Sequence, residues 1–247
     1  AEATGPASRP ATTEPDPRVT AIVQATEWFD TALLFEMLRT AERSMGFEAA
    51  LEALALPALT AAGARWEQGD FSIAREHVLS EVVGAWIGAQ QAIAPSPEVG
   101  APRVLLACPE DERHDVCMRA LGALLCHRRL RVTCLGADTP SGALVEAARS
   151  AMFDAVVLVA TTSPSLPMAR LACQALLPVA RGARVYVGGR ALHDAPDDAG
   201  SIAAIRLPRS VSDAARMIAL HLDAPHTSNP ETEDGSVLDG PTAGGPA

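Results

Sequence analysis

The sequence lacks the features that mark several large classes of protein. Its five cysteines include no C-x-x-C pair and stand singly among apolar residues: Cys108, Cys117, Cys126, Cys134 and Cys173. That usage is typical of reduced, buried cysteines in an intracellular protein. The chain has no apolar stretch near the roughly 18 residues that span a bilayer, and no signal-peptide pattern. We therefore expect a cytoplasmic protein without a membrane partner.

Basic side chains are too few and too scattered to follow a nucleic-acid backbone. The formal net charge is -10, from 20 Lys and Arg against 30 Asp and Glu, with no dense basic cluster. The first predicted strand is not followed by G-x-G-x-x-G, which argues against a dinucleotide site. No Ser/His/Asp or Cys/His pairing indicates a hydrolase.

The two ends of the chain lack periodic apolar residues. Residues 1–17 are rich in Ala, Pro, Thr and Glu, which predicts a disordered linker. Residues 223–247 carry five acidic side chains and no Lys or Arg, which predicts a disordered acidic tail. Between them, 48% hydrophobic residues over the 247-residue chain provide for one large domain or two small ones.

Residues 18–93 show helical spacing and predict a four-helix bundle. The apolar faces of the first two helices are marked by Ile22, Phe29, Leu33 and Met37, then by Phe47, Leu51 and Leu54. Pro57 is expected to end the second helix, and a third is expected to run to about Trp66. Ser72 is expected to cap a fourth helix that reaches Gln91.

Residues 101–222 alternate short apolar runs with helical segments, which predicts a doubly wound parallel α/β domain, flavodoxin-like in strand order. The predicted strands are Val104–Cys108, Val132–Leu135, Ala155–Ala160, Val185–Val187 and Ile202–Leu207. The predicted helices cover 115–128, 141–151, 166–181 and Val211–Leu222. Ligands of such sheets bind outside the carboxyl ends of the strands.

Three candidate segments fall at that edge. Glu112-Arg113-His114 follows the first strand, Val159-Ala160-Thr161-Thr162-Ser163 ends the third, and Gly188-Gly189 ends the fourth. A carboxylate two residues before a histidine is placed to orient it as a metal ligand. Taken alone, His114 is more readily a solvated loop histidine, and the other two segments are common loop material. Their convergence favours one ligand held across the sheet edge.

The order and spacing of these segments resemble those of the cobalamin-binding domain. That family carries Asp-x-His-x-x-Gly, then Ser-x-Leu, then Gly-Gly, separated by intervals of characteristic length. Here Glu112-x-His114-x-x-Cys117 is followed, after the interval 118–158, by Val159-Ala160-Thr161, and Gly188-Gly189 comes after the interval 162–187. Both intervals agree with those of the family. Glu replaces Asp, Cys117 replaces Gly and Val159 replaces Ser, although Thr161, Thr162 or Ser163 supplies a hydroxyl nearby.

The resemblance implies roles for these residues. His114 would be the lower ligand of the cobalt, and Glu112 would accept its other ring N–H. The slot for the cofactor's displaced nucleotide tail would be lined by Cys117, Val159, Thr161, Ser163, Gly188 and Gly189. The three replacements leave haem open as another planar ligand, and methylcobalamin as another corrinoid.

A second resemblance involves Trp66 and Glu76-His77 in the helical block. Taken alone, they indicate a core tryptophan and a polar helix face. With Ser80, Gly84 and Gly88 on the stripe of Glu76, the segment is similar to the cap of CarH-type, MerR-class photoreceptors, which use adenosylcobalamin. The likeness implies that Trp66, Glu76 and His77 cover the upper face of the cofactor. Where some members carry a light-state histidine ligand, this chain has Glu67.

The resemblance implies the sensor part of a light-responsive transcription regulator, not an enzyme. It implies a homo-oligomer, a dimer or tetramer in darkness, that binds DNA through a domain upstream of Ala1. Two alternatives remain, a corrinoid protein that carries methyl groups for a methyltransferase, and a cobalamin- or haem-sensing anti-repressor.

Overall fold

The computed structural model describes residues 16–180, 182–195 and 202–223. The predicted linker 1–17 and tail 223–247 therefore lie almost wholly outside the described residues. At their inner margins, Pro17 already begins a helix and Asp223 still ends one.

Four helices form the N-terminal part of the described chain, as the apolar periodicity predicts. They are α1 Pro17–Ala25, α2 Thr31–Met45, α3 Phe47–Glu67 and α4 Ile73–Ala92. Side-chain oxygens begin three of them: Asp16, Asp30 and Ser72 each accept a hydrogen bond from a backbone N–H of the first turn. The predicted cap at Ser72 is confirmed.

The predicted course of the first helix is wrong. The chain breaks at Phe29, whose φ of 50° lies in the left-handed region, and Asp30 then caps α2. This break rotates the apolar face, so that Phe29 and Leu33 are 50% and 46% exposed. Leu34 and Leu38 are buried in their place.

The predicted end of the second helix at Pro57 is also wrong, because α3 runs through this residue. A π-helical turn, Leu51–Ala55, immediately precedes it, and the Leu56 N–H bonds to the Leu51 carbonyl five residues back. Proline in a regular α-helix collides with the carbonyl four residues earlier, and the wider turn accommodates the ring. The second and third predicted helices are therefore one.

Helix α3 also differs from the expectation about apolar runs. It has 21 residues, and an 18-residue window within it has a mean hydropathy of 1.3, so it is long and apolar enough to cross a membrane by length and composition. The core helix of a folded domain can have the same length and hydropathy, so these two properties are weak evidence for a membrane span. One face of α3 packs into the bundle core through Ala50, Leu51, Leu54, Ala55, Ala58 and Ala62.

The C-terminal part is a parallel five-stranded sheet of order β2-β1-β3-β4-β5, the predicted flavodoxin-like order. Its strands are β1 Arg103–Pro109, β2 Arg131–Thr139, β3 Ala155–Val159, β4 Arg184–Gly188 and β5 Ile205–Arg206. Its helices are α5 Val116–His127, α6 Ser141–Ser150, α7 Leu166–Leu176, α8 Ala191–Asp194 and α9 Val211–Asp223. Strand β5 is shorter than predicted. Strand β2 is longer, because it ends at Thr139 rather than at the predicted Leu135.

The two faces of the sheet belong to two cores. Leu106 and Val157 point to the face covered by α5 and α9, and that core is continuous with the interior of the helical bundle. Leu105 and Val156 point to the opposite face, under α6 and α7. Successive strand residues point to opposite faces, so both must be apolar when both are covered. The bundle and the α/β domain therefore share one core.

All five cysteines are free, as expected, but they are not all buried. Cys108 and Cys173 are buried, Cys117 and Cys126 are half-buried, and Cys134 is exposed. Cys134 lies on β2, the edge strand of the sheet, so one side of its strand has no neighbouring strand to cover it.

Candidate functional site

The loop between β1 and α5 holds a histidine against a buried carboxylate. Glu112 is fully buried, and its Oε1 lies 2.9 Å from the backbone nitrogen of His114 and 2.8 Å from the ring Nδ1. A carboxylate that accepts from both groups fixes the loop and the ring together. The predicted pairing of Glu112 with His114 is present in the structure.

The other oxygen of Glu112 joins this loop to the end of β3. Oε2 accepts from the backbone N–H groups of Thr161 and Thr162, each at 2.8 Å. It also accepts from the hydroxyls of Thr162 and Ser165, each at 3.0 Å. The Thr161 hydroxyl in turn donates to the His114 carbonyl at 3.3 Å. The segments after β1 and β3 are therefore one hydrogen-bonded unit.

These bonds decide the protonation of the pair. Burial alone would raise the pKa of Glu112, but hydrogen bonds from His114 and Thr162 outweigh it and lower the pKa to about 2. An ionised carboxylate only accepts, so Nδ1 of His114 carries a hydrogen. In the neutral ring the lone pair is then on Nε2. The side chain of His114 is 64% exposed, so this nitrogen is available to a ligand.

The helical bundle contributes charge to the same place. The hydrogen bond to Glu112 raises the pKa of His114, although burial acts in the opposite direction. The negative charge of Glu76, on α4, also raises this pKa, and Arg190 lowers it. The charge of Glu76, on the helical bundle, therefore acts on His114, in the α/β domain.

The predicted cap residues lie near that boundary. One oxygen of Glu76 accepts from the Ser80 hydroxyl at 2.7 Å, and the other lies 2.8 Å from Nδ1 of His77. The His77 side chain is exposed, and Trp66, at the C-terminal end of α3, is 47% exposed. Trp66 therefore leaves part of its ring surface open to a ligand.

A cleft of about 270 Å³ opens between α4 and the α/β domain. Its α4 side is formed by Gly84, Ile87, Gly88 and Gln91, and a Cβ built on either glycine would have no atom outside the local helix backbone within 4 Å. The opposite side is formed by Asp115, Met118, Arg119, Cys134 and Gly136. The predicted stripe of small residues therefore borders open space rather than a packed helix.

The diglycine contacts the end of β3. Gly189 has φ +107°, and a Cβ there would lie 2.1 Å from the Ala160 carbonyl oxygen, so only glycine fits. A Cβ on Gly188 would instead meet the Leu207 side chain at 3.1 Å. Gly188 is therefore required for packing, and Gly189 for the close backbone contact.

The other predicted residues are less centrally placed. Val159 is buried in the sheet core, and Ser163 is exposed at the start of a 3-10 turn, Ser163–Ser165. Cys117 is half-buried in the first turn of α5, and burial raises the pKa of its thiol to about 11. A thiol with this pKa is protonated at neutral pH and is a poor metal ligand.

Sequence reasoning missed two members of the site. Ser165 hydrogen-bonds Glu112 from the 3-10 turn, and Arg190 lies close enough to His114 and Cys117 to lower the pKa of both groups. The available signals were weak: Ser165 continues a polar run after a buried strand, and Arg190 directly follows the diglycine.

The side chains at this site suit a metal that a macrocycle already coordinates. Within the described ranges, no three His, Cys, Asp or Glu side chains come together in a group that could hold a bare ion. A single oriented imidazole on an open edge instead supplies one axial ligand, which a metal in a planar macrocycle needs. The exposed side chain of His114, with its hydrogen held on Nδ1 by Glu112, fits such a group.

Comparisons with known families agree with this chemistry. Residues 102–208 match a B12 binding domain, and residues 19–89 match a second B12 binding domain model. The first match covers the whole sheet, and the second covers most of the helical bundle.

The proteins similar to the chain include two curated repressors of one bacterium. The chain is 36% identical to the HTH-type transcriptional repressor CarA of Myxococcus xanthus over 123 residues, 49% of this chain and 40% of CarA. It is 30% identical to the repressor CarH of the same organism over 176 residues, 69% of this chain and 56% of CarH. The chain thus spans about half the length of these relatives.

The Methanosarcina barkeri monomethylamine corrinoid protein shares the fold. Its TM-score is 0.64 at 16% identity, over 84% of this chain and 97% of that protein. Residues 19–89 and 102–208 thus match two B12 binding domain models, and the chain is homologous to the CarA and CarH transcriptional repressors.

Proposed function

We propose that the chain binds adenosylcobalamin between the helical bundle and the α/β domain, as the sensor part of a light-responsive transcription regulator. The observation that carries the proposal is the exposed imidazole of His114, which Glu112 orients through Nδ1 and whose pKa the charge of Glu76 in the bundle raises. Similarity to two transcriptional repressors supports regulation as the output.

The proposal gives each part of the site a task. His114 supplies Nε2 as the lower cobalt ligand, and Glu112 keeps the hydrogen on Nδ1 and fixes the ring plane. Trp66, Glu76 and His77 cover the upper face. Cys117, Thr161, Ser163, Val159 and the Gly188-Gly189 pair border the tail slot.

The response requires the bundle and the α/β domain to change their contact. When bound, adenosylcobalamin supplies a cobalt–carbon bond that light breaks. Trp66 and Glu76 would cover the group that this bond holds, and its loss would change the bundle's contact with the α/β domain. A ligand that contacts both parts biases such a two-state equilibrium by its differential affinity. We propose that this change alters a homo-oligomer in the cytoplasm and DNA binding by another domain.

The test is an absorption spectrum and a size-exclusion profile with adenosylcobalamin, in darkness and after green light. We expect a base-off spectrum that changes on illumination together with a change in size. His114→Ala should abolish the imidazole-ligated spectrum, whereas Glu110→Ala, an exposed residue of the same loop, should retain it.

Other outcomes identify the alternatives. Binding without any change in assembly, with methyl transfer from the methylated corrinoid to a thiol, contradicts the regulator and supports a methyl carrier. Absence of corrinoid binding together with binding of haem contradicts the cobalamin proposal altogether.

A further inference from the structure

The turn between α3 and α4 is built around one aromatic ring. Phe71 is 3% exposed, and the guanidinium groups of Arg65 and Arg75 lie 5.1 and 5.9 Å from its ring centroid. A cation within about 6 Å of an aromatic face is attracted by the negative charge of that face. Phe71 thus bridges the last turn of α3 and the first turn of α4.

Hydrogen bonds also hold the backbone in place on both sides of Phe71. The N–H of Asp70 bonds to the Arg65 carbonyl and that of Gly69 to the Trp66 carbonyl, with Gly69 at φ +80°. This pair of bonds around a left-handed glycine is a Schellman motif, which ends a helix at a fixed residue. Ser72 then caps α4 directly after Phe71.

The two arginines are the sequence neighbours of the cap residues. Arg65 precedes Trp66, and Arg75 precedes Glu76 and His77. Because Phe71 holds both arginines, it also sets the separation of Trp66 from Glu76. Without this anchor, the two helix ends would lose the aromatic contact that joins Arg65 to Arg75 across the turn.

We propose that Phe71, held between Arg65 and Arg75, is a positioning residue that sets Trp66 against Glu76-His77 for the upper face of the cofactor. The inference rests on the proposed function. Phe71 itself does not contact the cofactor in this scheme, because its ring is buried under the two guanidinium groups.

The test compares two upper ligands in Phe71→Leu, which keeps an apolar side chain but removes the aromatic face. We expect affinity for adenosylcobalamin to fall about tenfold, a free-energy difference of about 1.4 kcal/mol, and affinity for hydroxocobalamin to change less than about twofold. In the cofactor-free protein, amide hydrogen exchange at Asp70 and Arg75 should accelerate, because the Asp70 amide bonds to Arg65 at the end of α3 and the Arg75 amide bonds to Ser72 at the cap of α4.

Two further variants guard the interpretation. Arg75→Gln removes one cation but leaves the ring in place, so a smaller loss in the same direction is expected if Phe71→Leu folds poorly. Phe153→Leu is the matched control, because Arg103 lies 5.1 Å from the Phe153 ring in the α/β domain. We expect this control to leave the ratio of the two affinities unchanged.

Results that contradict the positioning role differ from those that contradict the proposed function. Equal weakening of both cobalamins by Phe71→Leu, or weakening of neither, contradicts the positioning role while the proposed function stands. Failure of the unmodified protein to bind any cobalamin contradicts the proposed function, and this inference with it.

Discussion

Glu112 replaces the aspartate of the family motif, and its full set of hydrogen bonds makes a buried charge tolerable. One oxygen serves His114, and the other serves Thr161, Thr162 and Ser165. A buried carboxylate without such partners would take up a proton. The same bonds therefore stabilise the fold and orient the histidine.

Replacing this carboxylate is expected to reduce stability in a pH-dependent way. Because the folded-state pKa, about 2, lies below the ordinary 4.5, the charge stabilises the folded state above about pH 4.5. Glu112→Gln should therefore lower the free energy of unfolding by about 3 kcal/mol at neutral pH, and by less as the pH falls toward 2. Urea unfolding of the cofactor-free protein at several pH values measures this.

The control for this prediction is Glu110→Gln, which changes an exposed carboxylate of the same loop. It should leave stability nearly unaltered at every pH. A loss in Glu112→Gln that is the same at all pH values would show that shape, not charge, accounts for the effect.

At the scale of elements, α4 carries two glycines that weaken it as a helix. Gly84 and Gly88 lie in its interior, where glycine is less favourable than alanine, and both border the cleft. Neither is required by backbone conformation or by a close neighbour. The open space that they leave is their evident consequence.

Side chains that fill this space should raise the stability of the protein and weaken its binding of cobalamin. We expect Gly84→Ala and Gly88→Ala each to raise the free energy of unfolding of the cofactor-free protein by about 1 kcal/mol, while weakening cobalamin binding. Thermal unfolding and a binding titration give the two quantities. Gly63→Ala, in α3 and equally free of close neighbours, should raise stability without changing affinity.

If cobalamin binds the two α4 variants as tightly as the unmodified protein, the cofactor does not use this cleft. A loss of stability in either variant would instead show that α4 moves closer to the α/β domain than the structure describes.

At the scale of the whole molecule, polar contacts join the bundle to the α/β domain at the start of α3. Glu52, on the π-helical turn, accepts from the Ser210 hydroxyl and the Ser212 N–H at the start of α9, each at 2.8 Å. Glu48 pairs with Arg128 at 3.0 Å. Glu52 thus completes the cap of a helix in the other domain.

Removing Glu52 should loosen the coupling of the two parts. We expect Glu52→Ala to cost about 1–2 kcal/mol and to separate the unfolding midpoints of the bundle and the sheet. Tryptophan fluorescence follows the bundle, which holds Trp28, Trp66 and Trp86, and second-derivative absorbance follows the single tyrosine, Tyr186, in the sheet.

Glu36→Ala is the control, because Glu36 is exposed and pairs with Arg43 inside α2. Its effect should be within about 0.5 kcal/mol, with coincident midpoints. Coincident midpoints in Glu52→Ala as well would mean that the shared apolar core alone couples the two parts.

The sequence predicted the α/β half better than the bundle. Strands such as Ala155–Val159 are continuous apolar runs between polar turns, so their positions follow from composition. The bundle depends on interruptions that periodicity does not mark. The left-handed Phe29 and the π-helical turn before Pro57 each change which residues of a helix face the core. The residue types at these positions do not indicate either feature in the sequence.

The candidate site divides in the same way. The sequence by itself determined that Glu112, His114 and the diglycine lie at one edge of the sheet. Each follows a predicted parallel strand, and the carboxyl ends of parallel strands meet at the same edge. The tertiary structure alone decided that Ser165 completes the Glu112 bonds, that the charge of Glu76 acts on His114, and that Glu52 caps α9. These contacts join residues distant in the chain, and their distances depend on how bundle and sheet share a core.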